Sequence, residues 1–156
     1  MKKRPDRAVM LCDSNVWLAL ALSKHVHHSA ARQWFETVEE PQSILWCRAT
    51  QQAFLRLLTN ASVLRPYGNP PLTNRQAWSA YEALLNDDRI TFQEEPTGLE
   101  PLWKELAVRG TASPKLWMDA YLAAFAVAGR FRMVTTDGAF AQFRGLDLLV
   151  LGQQPT

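Results

Sequence analysis

Five short apolar runs punctuate this chain: AVMLC, SILWC, RITFQ, RMVTT and DLLVL. Each is about as long as a buried strand and too short for a helix of the usual length. Between them lie longer stretches with helical periodicity. SNVWLALAL and HSAARQWFETVEE follow the first run, ATQQAFLRLLTN and TNRQAWSAYEALLND the second, and GLEPLWKELAVRG and SPKLWMDAYLAAFAVAG the third. Strands separated by helices predict βαβ units: an α/β fold with a central, mostly parallel sheet flanked by helices. In such sheets, ligands bind beyond the carboxyl ends of the strands.

Local signals refine this layout. Thr73 or Asn74 caps its helix. VLRPYGNPPL, with its prolines and glycine, predicts a loop. GLEPLWKELAVRG should stop at Gly110. The last long helix should open on Ser113 as N-cap with Pro114 at its first position, and close on Gly129. The chain has 156 residues, the length of one domain, read here as 1–156. Hydrophobic residues make up 47%, enough for a real core, and the formal net charge is +2. A balance that mild demands no polyanion, so any nucleic acid must be met by local basic patches. Cys12 and Cys47 both fall in predicted strands, and buried reduced thiols fit a cytoplasmic protein. The basic start, MKKRPDR, is followed by only five apolar residues before Asp13, too few for a signal peptide or a membrane span.

Three acidic residues do not suit their surroundings. Asp13 directly follows the first strand and Asp137 follows RMVTT. If the two strands are neighbours, both carboxylates face one crevice. Taken singly, each is also a good helix cap or turn former. Asp119 stands in WMDAYLAAFAVAG. With Ser113 as cap it lies beyond the first turn, on the face of Leu116, Leu122, Ala123 and Ala126. A dry, unpaired carboxylate there costs several kcal/mol, roughly, unless an ion pair, hydrogen bonds or a metal compensates it. Two carboxylates about 4 Å apart repel by roughly 4 kcal/mol at an effective dielectric near 20. A divalent cation reverses the sign. Hard oxygen ligands select Mg²⁺ or Mn²⁺ over zinc, and the matching chemistry is metal-assisted phosphodiester hydrolysis.

In order, LCDSNVWLAL, ATQQAFLRLLTN, WMDAYLAAFA and VTTDGAFAQF resemble the four motifs of the PIN-domain nucleases, and within them the VapC toxins of bacterial toxin–antitoxin pairs. The resemblance spans nearly the whole chain. It implies a PIN-like domain and an endoribonuclease dependent on Mg²⁺ or Mn²⁺, in which Asp13, Asp119 and Asp137 are catalytic and hold the metal. It further implies an RNA substrate hydrolysed by metal-activated water, products with a 3′-hydroxyl and a 5′-phosphate, a cognate antitoxin, and a homodimer. Asn15 and Thr136 would orient the carboxylates. Arg48, Arg56, Arg65 and Lys115 lie near the motifs and could meet RNA phosphates, or be ordinary solvated side chains.

One position departs from the pattern. The family usually carries a glutamate in the second motif, and Gln51 is read as its match, interrupting a face formed by Phe54, Leu55 and Leu58. An amide accepts hydrogen bonds but supplies no charge. This opens an alternative: a PIN-fold module that binds RNA or a protein partner, with nuclease activity weakened or lost. Glu94 and Glu95 follow a different, edge strand and do not substitute. A receiver-type or phosphoryl-transfer domain would need an Asp-x-Asp pair or a suitably placed lysine at a strand end, and this sequence shows neither, nor a glycine-rich phosphate loop. His25, His27 and His28 have no companion ligand at zinc spacing, so packing and capping by His28 is the better reading. Trp17, Trp34, Trp46 and Trp117 fall in apolar patterns that suit a core or a dimer interface.

Overall fold

The computed structural model describes residues 8–152, so the basic start and both ends of the expected 1–156 domain lie outside the described residues. Strand β1 (Met10–Cys12) leads to α1 (Ser14–Ala21) and α2 (His28–Thr37). Strand β2 (Ile44–Trp46) leads to α3 (Arg48–Leu58), a short α4 (Ala61–Leu64) and α5 (Asn74–Leu85). Then come β3 (Ile90–Phe92), α6 (Leu99–Ala107), α7 (Leu116–Gly129), β4 (Arg132–Thr135) and β5 (Leu148–Val150). The sheet order is β3-β2-β1-β4-β5, and every neighbouring pair is parallel. The fold is therefore the α/β architecture the apolar runs imply, with β3 on an edge as expected. Among the described residues no helix is long and apolar enough to cross a membrane.

The sheet order places the site. The chain builds outward from β1 through β2 to β3, then returns to the other side of β1 for β4 and β5. The order reverses between β1 and β4, which is where open parallel sheets leave a crevice at their carboxyl edge. Both of these strands are buried, with Leu11, Cys12, Met133, Val134 and Thr135 fully so. Alternating side chains feed two cores. On one face Cys12, Trp46 and Val134 pack with Val16, Trp17, Phe54 and Leu58 from α1 and α3. On the other, Leu11, Leu45 and Met133 pack under Ala120, Ala123, Phe125 and Ala126 of α7. Trp17 and Trp46 stack with centroids 3.9 Å apart and planes 8° from parallel. Among the described residues neither buried indole N–H finds a hydrogen-bond partner, a cost of about 1–3 kcal/mol each that the buried ring area offsets.

Several local expectations need correction. Part of VLRPYGNPPL is helical: Asn60 caps α4 through Ser62 N and Val63 N, and a 3-10 turn, Arg65–Tyr67, closes on Gly68 at φ 73°. Helix α6 stops at Ala107, with Val108 already extended, short of Gly110. Helix α7 starts at Leu116 and not beside Ser113. Pro114 and Lys115 form a turn closed by Leu116 N–H on the Ser113 carbonyl at 3.1 Å, and the Ser113 hydroxyl pairs with that of Thr111. The α7 end is also built differently. Gly129 ends the helix, but Arg130 takes the left-handed conformation at φ 59°. A β-carbon at 129 would meet the Phe131 ring, so a larger residue there would have to displace that ring. Thr73 caps α5, with Gln76 returning the bond.

Candidate active site

Asp13, Asp119 and Asp137 line one crevice of about 230 Å³, together with Ser14, Asn15, Ala49, Thr50, Ala53, Lys115, Met118 and Leu122. Strand β1 delivers Asp13. Its N–H donates to the Val134 carbonyl of β4 at 2.9 Å, so the residue is held in the sheet while its side chain leaves it. Oδ1 caps α1, accepting from Ser14 N–H at 2.8 Å. Oδ2 accepts from the Thr135 hydroxyl at 2.9 Å and from Asn15 Nδ2 at 3.2 Å. Asp13 thus caps a helix and also lines the crevice. It is 8% exposed, the most buried of the three acids. Burial pushes its pKa up to about 6, against the opposing Thr135 and Ser14 hydrogen bonds, and the charges of Asp119 and Asp137 push the same way.

Asp137 likewise has both roles. Its Oδ1 accepts from Ala139 N–H at 2.9 Å, capping a 3-10 turn, and its Oδ2 accepts from Lys115 Nζ at 3.1 Å. The Ala139 N–H chiefly holds its pKa below the ordinary value, with Lys115 assisting. Asp119 is half-buried and not dry. Because α7 begins at Leu116, it stands in the first turn, where the helix N-terminus favours a negative charge. Burial still raises its pKa, Lys115 lowers it, and the Asp137 charge raises it again.

The orienting threonine is Thr135 and not the side chain of Thr136. Thr135 is fully buried; its hydroxyl donates to Asp13, and it accepts from Asp137 N–H at 3.0 Å and Asn15 Nδ2 at 3.3 Å. Thr136 contributes only its backbone N–H, to Asn15 Oδ1 at 3.2 Å. Asn15 therefore bridges the two strand ends, accepting from Thr136 and donating to Asp13. The signal for Thr135 was the register: Cys12 pairs with Val134, which sets Thr135 beside Asp13. One residue further along, the pleat turns the side chain away.

Gln51 is also corrected. It is buried, but it does not line the crevice; its Oε1 accepts from Arg48 Nη1 at 2.6 Å. The α3 residues that reach the acids are Ala49, Thr50 and Ala53, none of them charged. The Thr50 hydroxyl is engaged with the backbone of Cys47. Arg48 lies over the Phe92 ring at 4.5 Å, also outside the crevice lining. Arg65 sits exposed in the 3-10 turn. Arg56 is exposed in the neighbouring cavity, and among the described residues only Lys115 brings a cation into the crevice itself. His28 packs as expected, with Nδ1 2.7 Å from the Ala19 carbonyl. Both cysteines are free and buried. Trp17, Trp34 and Trp46 are core residues, whereas Trp117 is 54% exposed.

Among the described residues, no three His, Cys, Asp or Glu side chains form a ready-made metal cluster. The donor chemistry nonetheless fits a hard divalent cation, which needs only one or two carboxylates and otherwise keeps its waters. Lys115 reads the field of the crevice. The Asp137 hydrogen bond is the largest cause of its raised pKa, and the charges of all three aspartates add to it.

A PIN-domain family model matches residues 10–146. Ribonuclease VapC41 of Mycobacterium tuberculosis is 59% identical over 146 residues, covering 93% of this chain and all of that protein. Ribonuclease VapC31 of the same organism is 31% identical, covering 86% of this chain and 93% of that protein. Among solved structures, VapBC2 from Rickettsia felis, bound to a DNA fragment from their promoter, matches with a TM-score of 0.67 at 13% identity, covering 91% of this chain and 98% of that one. The sarcin–ricin loop cleaving toxin VapC20 of M. tuberculosis matches at 0.60 and 19% identity, over 88% and 97% of the two chains.

Proposed function

The chain belongs to the PIN-domain family, among its VapC-type toxins, and from that premise we propose that it is a metal-dependent endoribonuclease. It would work as a single cytoplasmic domain, the toxin of a bacterial toxin–antitoxin pair. The observation that carries this reading is the convergence of three carboxylates at the β1/β4 switch point. A toxin–antitoxin complex from Klebsiella pneumoniae also matches the fold, at a TM-score of 0.55, and with the Rickettsia complex it supports a cognate antitoxin as partner. A homodimer is the assembly we infer from the family.

Asp13, Asp119 and Asp137 are the residues that would hold Mg²⁺ or Mn²⁺. Such an ion, when bound, supplies Lewis acidity toward a phosphate oxygen and a water of lowered pKa. The protein's share is positioning. Ser14 N–H, Thr135 and Asn15 fix both oxygens of Asp13, so its orientation is set before substrate arrives. Asp119 is carried on rigid α7, whose inner face is packed with alanines. Lys115 retains donors beyond its bond to Asp137 and can meet a phosphate at the rim.

The alternative, an RNA- or partner-binding module with weakened activity, draws on the absence of any carboxylate on the α3 face of the crevice. RNA incubated with the protein separates the two. Cleavage requiring Mg²⁺ or Mn²⁺, abolished by chelator and by Asp119→Asn, is the expected result. Undiminished cleavage in that variant removes Asp119 from the metal site. RNA bound but never cut by the wild type decides for the binding module.

A further inference from the structure

The crevice continues into a cavity on each side, and one face of α3 floors all three. Toward α7 it opens into a cleft of about 290 Å³ lined by Ala49, Trp103, Pro114, Trp117, Met118 and Tyr121. Ala49 and Met118 line both spaces. On the other side, Ser14 and Ala53 are shared with a cavity of about 620 Å³ that also contains Arg56 and Asn60. Ala49, Ala53 and Arg56 recur at helical spacing on α3, an edge about 10 Å long, and Asn60, the cap of α4, lines the cavity beyond it. The two alanines leave room for a strand to approach the helix closely.

The α7 end has the chemistry of a stacking site. Trp117 and Met118 are 54% and 49% exposed. Trp103 stands edge-on to Trp117 (centroids 6.3 Å, 77°) and to Tyr121 (5.6 Å, 85°). Two polar handles are already engaged: Trp103 Nε1 donates to the Trp117 carbonyl and the Tyr121 hydroxyl to Glu95. What the cleft offers a ligand is aromatic surface, with the Lys115 cation at the adjoining crevice. A flat, uncharged ring attached to an anionic backbone matches both. The cleft is continuous with the crevice through Ala49 and Met118, so a strand whose phosphate lies in the crevice brings its neighbouring base to the cleft.

We propose that one nucleobase of the RNA strand, beside the scissile phosphate, seats in the Trp103–Trp117–Tyr121 cleft, with Arg56 meeting a phosphate on the far side. The proposal rests on the RNA-cleaving reading of the crevice. It excludes paired RNA at this position, because a base within a duplex is not free to enter a cleft.

The test is a binding cycle on the full chain, with Ca²⁺ in place of Mg²⁺. The probes are a fluorescein-labelled oligoadenylate and a fully abasic ribose-phosphate strand of the same length. Wild type should prefer the oligoadenylate. Trp117→Ala should narrow that preference about 5- to 150-fold, the span of one base–aromatic stack. Trp117→Phe, which keeps a ring, should restore most of it. Arg56→Gln should leave the preference intact and reduce the salt slope of binding by about one. An unchanged preference in Trp117→Ala overturns the proposal, as does a fall in sedimenting mass with RNA affinity unchanged, which would make the cleft a self-association surface. If wild type binds neither strand, the nuclease reading falls with it. RNA cleavage by wild type together with an unchanged preference sinks the stacking cleft alone.

Discussion

Asp13 and Asp119 line the same crevice, one from a strand end and one from a helix, and the chain treats them differently. Asp13 is sealed among hydrogen-bond donors on both oxygens, and burial raises its pKa to about 6. Asp119 is half-exposed in the first turn of α7. The strand side is a fixed, desolvated platform. The helix side is an open wall that can take part in binding without a large cost when empty. Such a division suits a site that must keep one ligand oriented and still admit an ion with its waters and a bulky anionic substrate.

Asparagine at each position gives the largest contrast. Both Asp13→Asn and Asp119→Asn should abolish metal-dependent RNA cleavage. Their stabilities should diverge. Folding raises the Asp13 pKa from 3.8 to about 6, so the folded chain holds that proton more tightly than the unfolded one. Stability from this group is complete below pH 4, roughly, and is lost as pH rises through about 6, by up to about 3 kcal/mol. In chelator, Asp13→Asn should remove this decline with pH, while its NH₂, a donor only, gives up the bonds that Oδ2 accepts from Thr135 and Asn15. Asp119→Asn should shift stability by no more than about 0.5 kcal/mol. Equal pH slopes in wild type and Asp13→Asn would break the contrast between a buried and an open carboxylate.

The two threonines sharpen it at the next level down. Thr135→Val removes the hydroxyl that orients Asp13 and accepts from Asp137 N–H. Cleavage or metal affinity should fall about 10- to 100-fold, as for other groups that orient metal-binding side chains. Thr136→Val keeps the backbone N–H that Asn15 uses, so activity should stay within about twofold of wild type, as for a substitution breaking no bond. Parallel kinetic titrations in Mg²⁺ distinguish the pair, and equal losses would remove Thr135 from its special place.

How far the sequence revealed all this follows from what each signal depends on. The order of strands and helices rests on local periodicity, and it was legible from AVMLC to DLLVL. The carboxylates were legible as misfits, because an acid in an apolar context is costly anywhere. Which of them is dry was not: that depends on where α7 starts, and the turn at Pro114 and Lys115 moves the start to Leu116. Thr135 was hidden behind Thr136 because choosing between them needs the β1/β4 register, a tertiary fact. Trp117 falls in an apolar pattern that suits a core or a dimer interface, and its 54% exposure on the outer side of α7 removes the core reading alone.

Gln51 is the most instructive miss, and it frames the smallest effect. It interrupts an apolar stripe, as a ligand in the second motif should. Yet that stripe faces the α1/α5 core, where Phe54 and Leu58 are buried, and Gln51 is tied to Arg48. The crevice sees the adjoining face, and Ala53 is the α3 residue shared between the crevice and the Arg56 cavity. Gln51→Glu should therefore form a local pair with Arg48 and leave metal affinity unchanged. Ala53→Glu adds a carboxylate on the α3 side of the crevice. Near water such a charge contributes about 1–1.4 kcal/mol toward a cation, so Mg²⁺ or Mn²⁺ should bind about five- to tenfold more tightly. Isothermal titration of the two variants reads this directly. Tighter binding in Gln51→Glu alone would return that residue to the metal and show that α3 turns its other face to the acids when the ion is bound.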